Sequence, residues 1–209
     1  MLSANDIFTN LKNNPKYKTI CKTNIYNFPK RFYKNISAVK AIVLGADPSN
    51  SQGHTFDYVF GLEESENSQY FKPILDNLSC FDLNLSNIYV QNLCPNYFTF
   101  ETSKNKFYCE IATKYWLPKL REELDILFPS SIPVFATAWK VLEVIAPASK
   151  KYKRHKSQIY KNAVIFKDTL LNRPVISLFR GGRGYYNLEK PEYKKYISSI
   201  IRFLKILNS

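Results

Sequence analysis

The chain has 209 residues, of which 45% are hydrophobic and 22% charged, a globular balance that excludes general disorder and supplies one substantial core rather than two. Its formal net charge is +13, an imbalance whose placement bears on partner class. No apolar stretch approaches membrane-spanning length, and the opening MLSANDIFTNLKNNPK lacks the basic-then-apolar order of a secretory signal, so the expectation is a single domain over 1–209, cytoplasmic, monomeric and without membrane contact.

In chain order, short Val- and Ile-rich runs recur at 41–44, 88–91, 132–136, 163–166 and 174–178, each reading as a buried strand. Helical spacing fills most intervals: 69–78 through Phe71, Ile74, Leu75 and Leu78; 107–127 through Ile111, Tyr115, Leu120 and Leu124; and 139–145. A closing helix starts from Pro191 and carries Tyr196, Ile200, Phe203 and Leu204. Strand alternating with helix predicts an α/β fold with a central, mostly parallel four-stranded sheet and helices on both faces. Cys21, Cys80, Cys94 and Cys109 form no CxxC pair, and His54 and His155 are the only histidines. Reduced, mostly buried thiols are expected, with no metal and no cofactor.

Charge is segregated along the chain. Residues 1–40 hold eight basic residues against one acidic, 41–100 one against seven, 101–148 six against six, and 149–209 fifteen against three. Between Glu143 and Asp168 no acid occurs, while Lys150, Lys151, Lys153, Arg154 and Lys156 accumulate in a basic loop around 149–161. Such a run alone is an ordinary solvated loop; within a strongly basic C-terminal third it points to nucleic acid, because clustered cations gain affinity by releasing counterions from phosphates.

In parallel α/β sheets ligands sit beyond the carboxyl ends of the strands. The residues that follow those ends here are Gly45-Ala46-Asp47-Pro48, Asn92-Leu93-Cys94-Pro95, Thr137, and Phe179-Arg180-Gly181-Gly182-Arg183-Gly184, so Asp47, Asn92 and Arg180 are expected on one rim. Alone, Asp47 before a proline is an ordinary turn. Taken in order, strand plus GADPS, then FGL at 60–62, then strand plus NLCP, then strand plus FRGGRGYY resembles the uracil-DNA glycosylase superfamily over roughly 41–186.

That resemblance implies an α/β/α sandwich and a monofunctional DNA glycosylase, acting on uracil or a related damaged base in single- or double-stranded DNA. Asp47 takes the position of the carboxylate that orients water and stabilises an oxocarbenium-like sugar. The backbone beside it at Ala46 donates to a base carbonyl, and Asn92 reads the base edge through one donor and one acceptor. Phe60 or Phe56 stacks on the base. The family's closing His-Pro-Ser element is absent, with Ser177-Leu178-Phe179-Arg180 in its place. Two readings of Arg180 stay open: donor to the departing base, or, with Arg183 and Tyr185, part of a phosphate-holding wedge loop that includes Tyr186. Ser49 stands where the best-known branch has a methyl-excluding tyrosine, which implies a roomier pocket, and His54 reads as a loop residue. The alternative expectation is a catalytically silent nucleic-acid-binding domain of the same type.

Overall fold

Ser3 and Asp6 cap each other: the Ser3 hydroxyl accepts from the Asp6 backbone N–H at 3.1 Å, and the Ser3 backbone N–H donates to the Asp6 carboxylate at 2.9 Å. This capping box opens α1 (Ala4–Asn13), which buries Ile7, Phe8 and Leu11 on one face and lies outside the elements predicted from the sequence. The computed structural model describes residues 3–22, 27–48, 55–62, 71–178 and 187–207, together with the backbone of 180–181 and 184–185.

The apolar runs form β1 (Ala41–Gly45), β2 (Ile88–Asn92), β3 (Val134–Ala136), β4 (Ile165–Phe166) and β5 (Val175–Ser177), ordered β2-β1-β3-β5-β4 in one sheet. The first three and β5 are parallel. The sheet therefore has five strands rather than four, because β4 adds itself antiparallel at the edge of β5. Residues 167–174 are too few for the crossover that a parallel pair needs, so the chain can only fold back.

Both faces of the sheet are covered, since β1 is buried at every residue and successive side chains point to opposite sides. On one face Phe135 of β3 packs against Phe81, which meets Tyr196 at 6.5 Å between ring centroids. Tyr196 belongs to α7 (Lys194–Leu207), and its hydroxyl donates to the Ser177 carbonyl at 2.6 Å. On the other face Tyr89 of β2 packs against Phe128.

Helix α2 spans Lys72–Ser79, starting inside the expected 69–78, of which 69 and 70 lie outside the described residues. The segment predicted as one helix over 107–127 is continuous but changes pitch: α3 (Tyr108–Ile111), a π-helical turn at Ala112–Trp116, then α4 (Leu117–Leu127). Pro118 lies at the start of α4. A proline there removes one N–H and its ring crowds the carbonyl four residues back, which a widened turn accommodates.

Helix α5 (Trp139–Ile145) matches its predicted bounds. The expected basic loop is instead ordered as a 3-10 turn at Pro147–Tyr152 followed by α6 (Ser157–Lys161). Its aromatic residues supply the reason: Tyr152 packs edge-on against Phe166, and Tyr160 lies 4.9 Å from the Tyr196 ring. After β5 the chain forms a short hairpin, β6 (Arg180–Gly181) with β7 (Gly184–Tyr185). All four cysteines are free, Cys21 and Cys94 buried and Cys80 and Cys109 half-buried.

Among the described residues one basic residue is interior. Arg173, 1% exposed, donates to the carbonyls of Leu124 and Phe128 at 2.7 and 2.8 Å, to that of Pro129, and to the Asp125 carboxylate at 3.0 Å. It thereby gives the Phe128 carbonyl a donor and adds a second one to the carbonyls of Leu124 and Pro129, which already accept the backbone N–H groups of Phe128 and Ile132. Replacing Arg173 with Leu leaves the Phe128 carbonyl without its donor and Asp125 without this ion pair, so the variant is expected to lose about 1–3 kcal/mol of unfolding free energy, measured by urea denaturation; a loss under about 0.5 kcal/mol, the scale of an ordinary surface substitution, contradicts this role.

Candidate functional site

Four parallel strands end on one edge, and the chain segments that leave them meet there. The pairing of β1 with β2 continues past both strands, with the N–H of Leu93 donating to the Gly45 carbonyl and that of Cys94 to the Ala46 carbonyl, each at 2.9 Å. Thr137, leaving β3, donates both its backbone N–H (3.0 Å) and its hydroxyl (2.8 Å) to the Leu44 carbonyl. The hairpin that begins with Arg180 leaves β5 at the same edge.

Gly45 lies opposite Asn92 in the register. A Cβ built on Gly45 would stand 2.3 Å from Asn92 Oδ1 and 2.5 Å from Phe60 Cζ, so both side chains occupy the space that any other residue would take. Asn92 is 3% exposed, and among the described residues no hydrogen bond engages its amide. A nearly buried amide without a protein partner is uncommon and calls for one.

Phe60 reaches this point through a strained backbone. Its φ is 59° and ψ 12°, inside a single 3-10 turn at Val59–Gly61, a left-handed conformation that costs a side-chain-bearing residue about 1–2 kcal/mol. Buried Val59 and Leu62 bracket the turn. Backbone bonds fix it from outside: Lys30 N–H to the Asp57 carbonyl at 2.7 Å, and Val59 N–H to the Lys30 carbonyl at 2.9 Å. The Phe60 ring rests 5.2 Å from that of Phe71. Of the two aromatic candidates, Phe60 therefore meets Asn92, while half-buried Phe56 is tethered to Tyr97, its backbone N–H donating to the Tyr97 hydroxyl at 2.9 Å.

Asp47 is half-buried between half-buried Ala46 and buried Pro48. The Thr102 hydroxyl donates to its Oδ1, and the Tyr108 hydroxyl donates to the neighbouring Ala46 carbonyl at 2.9 Å. Burial, with the negative charge of Asp47 acting in the same direction, pushes both the Cys94 thiol and the Tyr108 phenol well above their ordinary ranges. Both groups keep their protons at neutral pH, which leaves Asp47 beside neutral neighbours.

Thr102, Tyr97 and Tyr108 were not singled out in the sequence. Thr102 sits in ETSKNKFY with no motif around it, and its link to Asp47 spans 55 positions. Among the described residues no cluster of His, Cys, Asp and Glu could hold a metal. The side chains of Arg180 and Tyr185, and the whole of Ser49, His54, Arg183 and Tyr186, lie outside the described residues.

The basic segment returns toward the same strand edge. Lys150, Lys151, Lys153 and Arg154 are exposed, Lys153 pairs with Glu143 at 3.6 Å, and the half-buried Lys156 places its ammonium 5.0 Å from the Trp139 ring centroid. Trp139 opens α5, immediately after the Thr137 contact with Leu44.

Chemically, the edge presents an amide able to donate and accept and an aromatic ring, both gathered about Gly45, with the Asp47 carboxylate two residues further along the chain. Gly45→Ala is expected to cost about 1–3 kcal/mol through overpacking, read as a lowered thermal midpoint, and to displace Asn92 and Phe60; an unaltered midpoint contradicts this close approach. No family model and no curated protein matches this chain.

Proposed function

We propose that the protein is a DNA glycosylase of the uracil-DNA glycosylase type, with the corresponding α/β/α sandwich, that hydrolyses the N-glycosidic bond of uracil or a related damaged base in base excision repair. The observation that carries this reading is the Asn92 amide, nearly buried and unengaged among the described residues, set against Phe60 over Gly45, where the strand ends two residues before Asp47. A planar ring with adjacent N–H and C=O groups suits that amide, which offers one donor and one acceptor in a single plane. Phe60 supplies the stacking face.

Breaking the bond between sugar and base places positive charge on the sugar and negative charge on the departing base. Asp47, held by Thr102, orients the attacking water and stabilises the cationic sugar. The Ala46 backbone and Asn92 hold the base, and Arg180 supplies a permanent positive charge for the leaving anion, the role given elsewhere in the superfamily to a histidine. The base must leave the helical stack first. Lys150, Lys151, Lys153, Arg154 and Lys156, with Arg183 and Tyr185 of the hairpin segment, hold the phosphates while it does so.

A second reading, a silent nucleic-acid-binding domain, is favoured by one observation: no histidine follows His155. One assay separates the two. Purified protein is expected to make oligonucleotides carrying a damaged base alkali-labile without added metal, over a panel of uracil, hypoxanthine, xanthine and alkylated bases in single and double strands. Asp47→Asn and Asn92→Ala are expected to lower the rate by about 10²–10³-fold, the scale for loss of one preorganised polar group, while leaving DNA binding intact. Salt-sensitive binding with no base release from any substrate identifies the silent domain instead.

The basic segment is tested separately. Neutralising Lys150, Lys151 and Lys153 with Gln is expected to flatten the dependence of log K on log salt by about one per phosphate contact removed. An unchanged slope moves the DNA-contacting surface elsewhere.

A further inference from the structure

A concavity lies on the other side of β2 from the candidate site. Side chains alternate along a strand, so Gln91 points to the face opposite Asn92, and Gln91 with Leu93 lines a cleft of about 190 Å³ between β2, α4 and the N-terminal segment. Phe28, Trp116 and Leu120 make its apolar wall. Trp116, Lys119, Leu120 and Glu123 follow the spacing that puts residues on one helical face, and Trp116 is the last residue of the π-helical turn. Such turns recur at functional positions.

The charge in the cleft is unbalanced. Arg31 pairs with Glu123 at 2.5 Å, and Glu123 also receives the Tyr89 hydroxyl, so that acidic residue is neutralised. Lys119, half-buried at the cleft, has no ion pair among the described residues. Trp116 is 2% exposed, and its indole Nε1–H finds no hydrogen-bond partner, an omission that costs about 1–3 kcal/mol when the group is shut off from water.

The geometry points to a binding site for a small monocarboxylate with a compact apolar body: Lys119 holds the carboxylate, and Phe28, Leu93, Trp116 and Leu120 enclose the body. Cavities of about 150 Å³ accept a benzene ring, so the cleft has room for one ring and its acid group. This site stands apart from Asp47 and Asn92 and does not rest on the glycosylase reading.

Isothermal titration of the full chain with benzoate and with phenylacetate tests it, using benzyl alcohol and benzylamine as neutral and cationic counterparts. At least one acid is expected to bind with 1:1 stoichiometry, and the alcohol and amine at least about fivefold more weakly, the scale of one partly exposed ion pair. Lys119→Met is expected to weaken the acid by a similar factor with an unchanged unfolding midpoint. The proposal is overturned if neither acid binds below about 10 mM, or if the alcohol binds as well as the acids. Equal affinity of the Lys119→Met protein for the acid overturns it as well, because Lys119 then contributes nothing.

Discussion

Everything at the candidate site depends on the missing side chain of Gly45. Parallel pairing in register sets Gly45 directly opposite Asn92, and side-chain alternation turns that position toward the face where Phe135 and Phe81 pack. With no Cβ in the way, the Asn92 carboxamide and the edge of the Phe60 ring converge on the same few ångströms of backbone. The cost falls on Phe60, which is held left-handed. Buried Val59 and Leu62 and the Phe60–Phe71 ring contact offset it. Backbone strain of this sort persists only where surrounding packing over-determines it, and it concentrates where a ring must be presented at a fixed angle.

The strands were legible because each carries a Val- or Ile-rich apolar run without polar alternation, as expected for a strand covered on both faces. The site was half legible for the same reason: a buried run must stop at its sheet edge, so the polar residues just past Leu44 and Gln91 could be placed on one rim from spacing alone. What escaped is what depends on distance in the chain. Thr102 reaches Asp47 across 55 positions and Tyr108 reaches Ala46 across 62, and neither contact leaves a local pattern. Helix α1 escaped although Ser3 and Asp6 spell its cap, because its buried stripe is only Ile7, Phe8 and Leu11. The antiparallel β4 required knowing that eight residues separate Phe166 from Val175 and that no crossover fits them.

Net charge misleads in one place and informs in another. Arg173 counts toward the basic C-terminal third, yet it is buried against the end of α4 and its charge is paired with Asp125. The 149–161 segment does the opposite. Read as a loop, its lysines would be scattered in space; folded into two helical turns, its tyrosines and Ile159 face inward and its cations face out. Aromatic residues interleaved with lysines thus convert a charge run into a surface of fixed shape. Preorganised cations lose less entropy when they meet phosphates than the same cations on a mobile chain.

The environment of Asp47 sharpens what the carboxylate can do. Cys94 and Tyr108 lie within range of its charge, and burial, reinforced by that charge, keeps both protonated. The alternative, a second anion beside Asp47, would disperse negative potential over the pocket. Cys94 and Tyr108 thus add no second negative charge beside Asp47, and Thr102 fixes one carboxylate oxygen on the strand-end rim. In the proposed reaction that is where positive charge develops on the sugar, and a fixed charge in a half-buried site acts there with little solvent reorganisation.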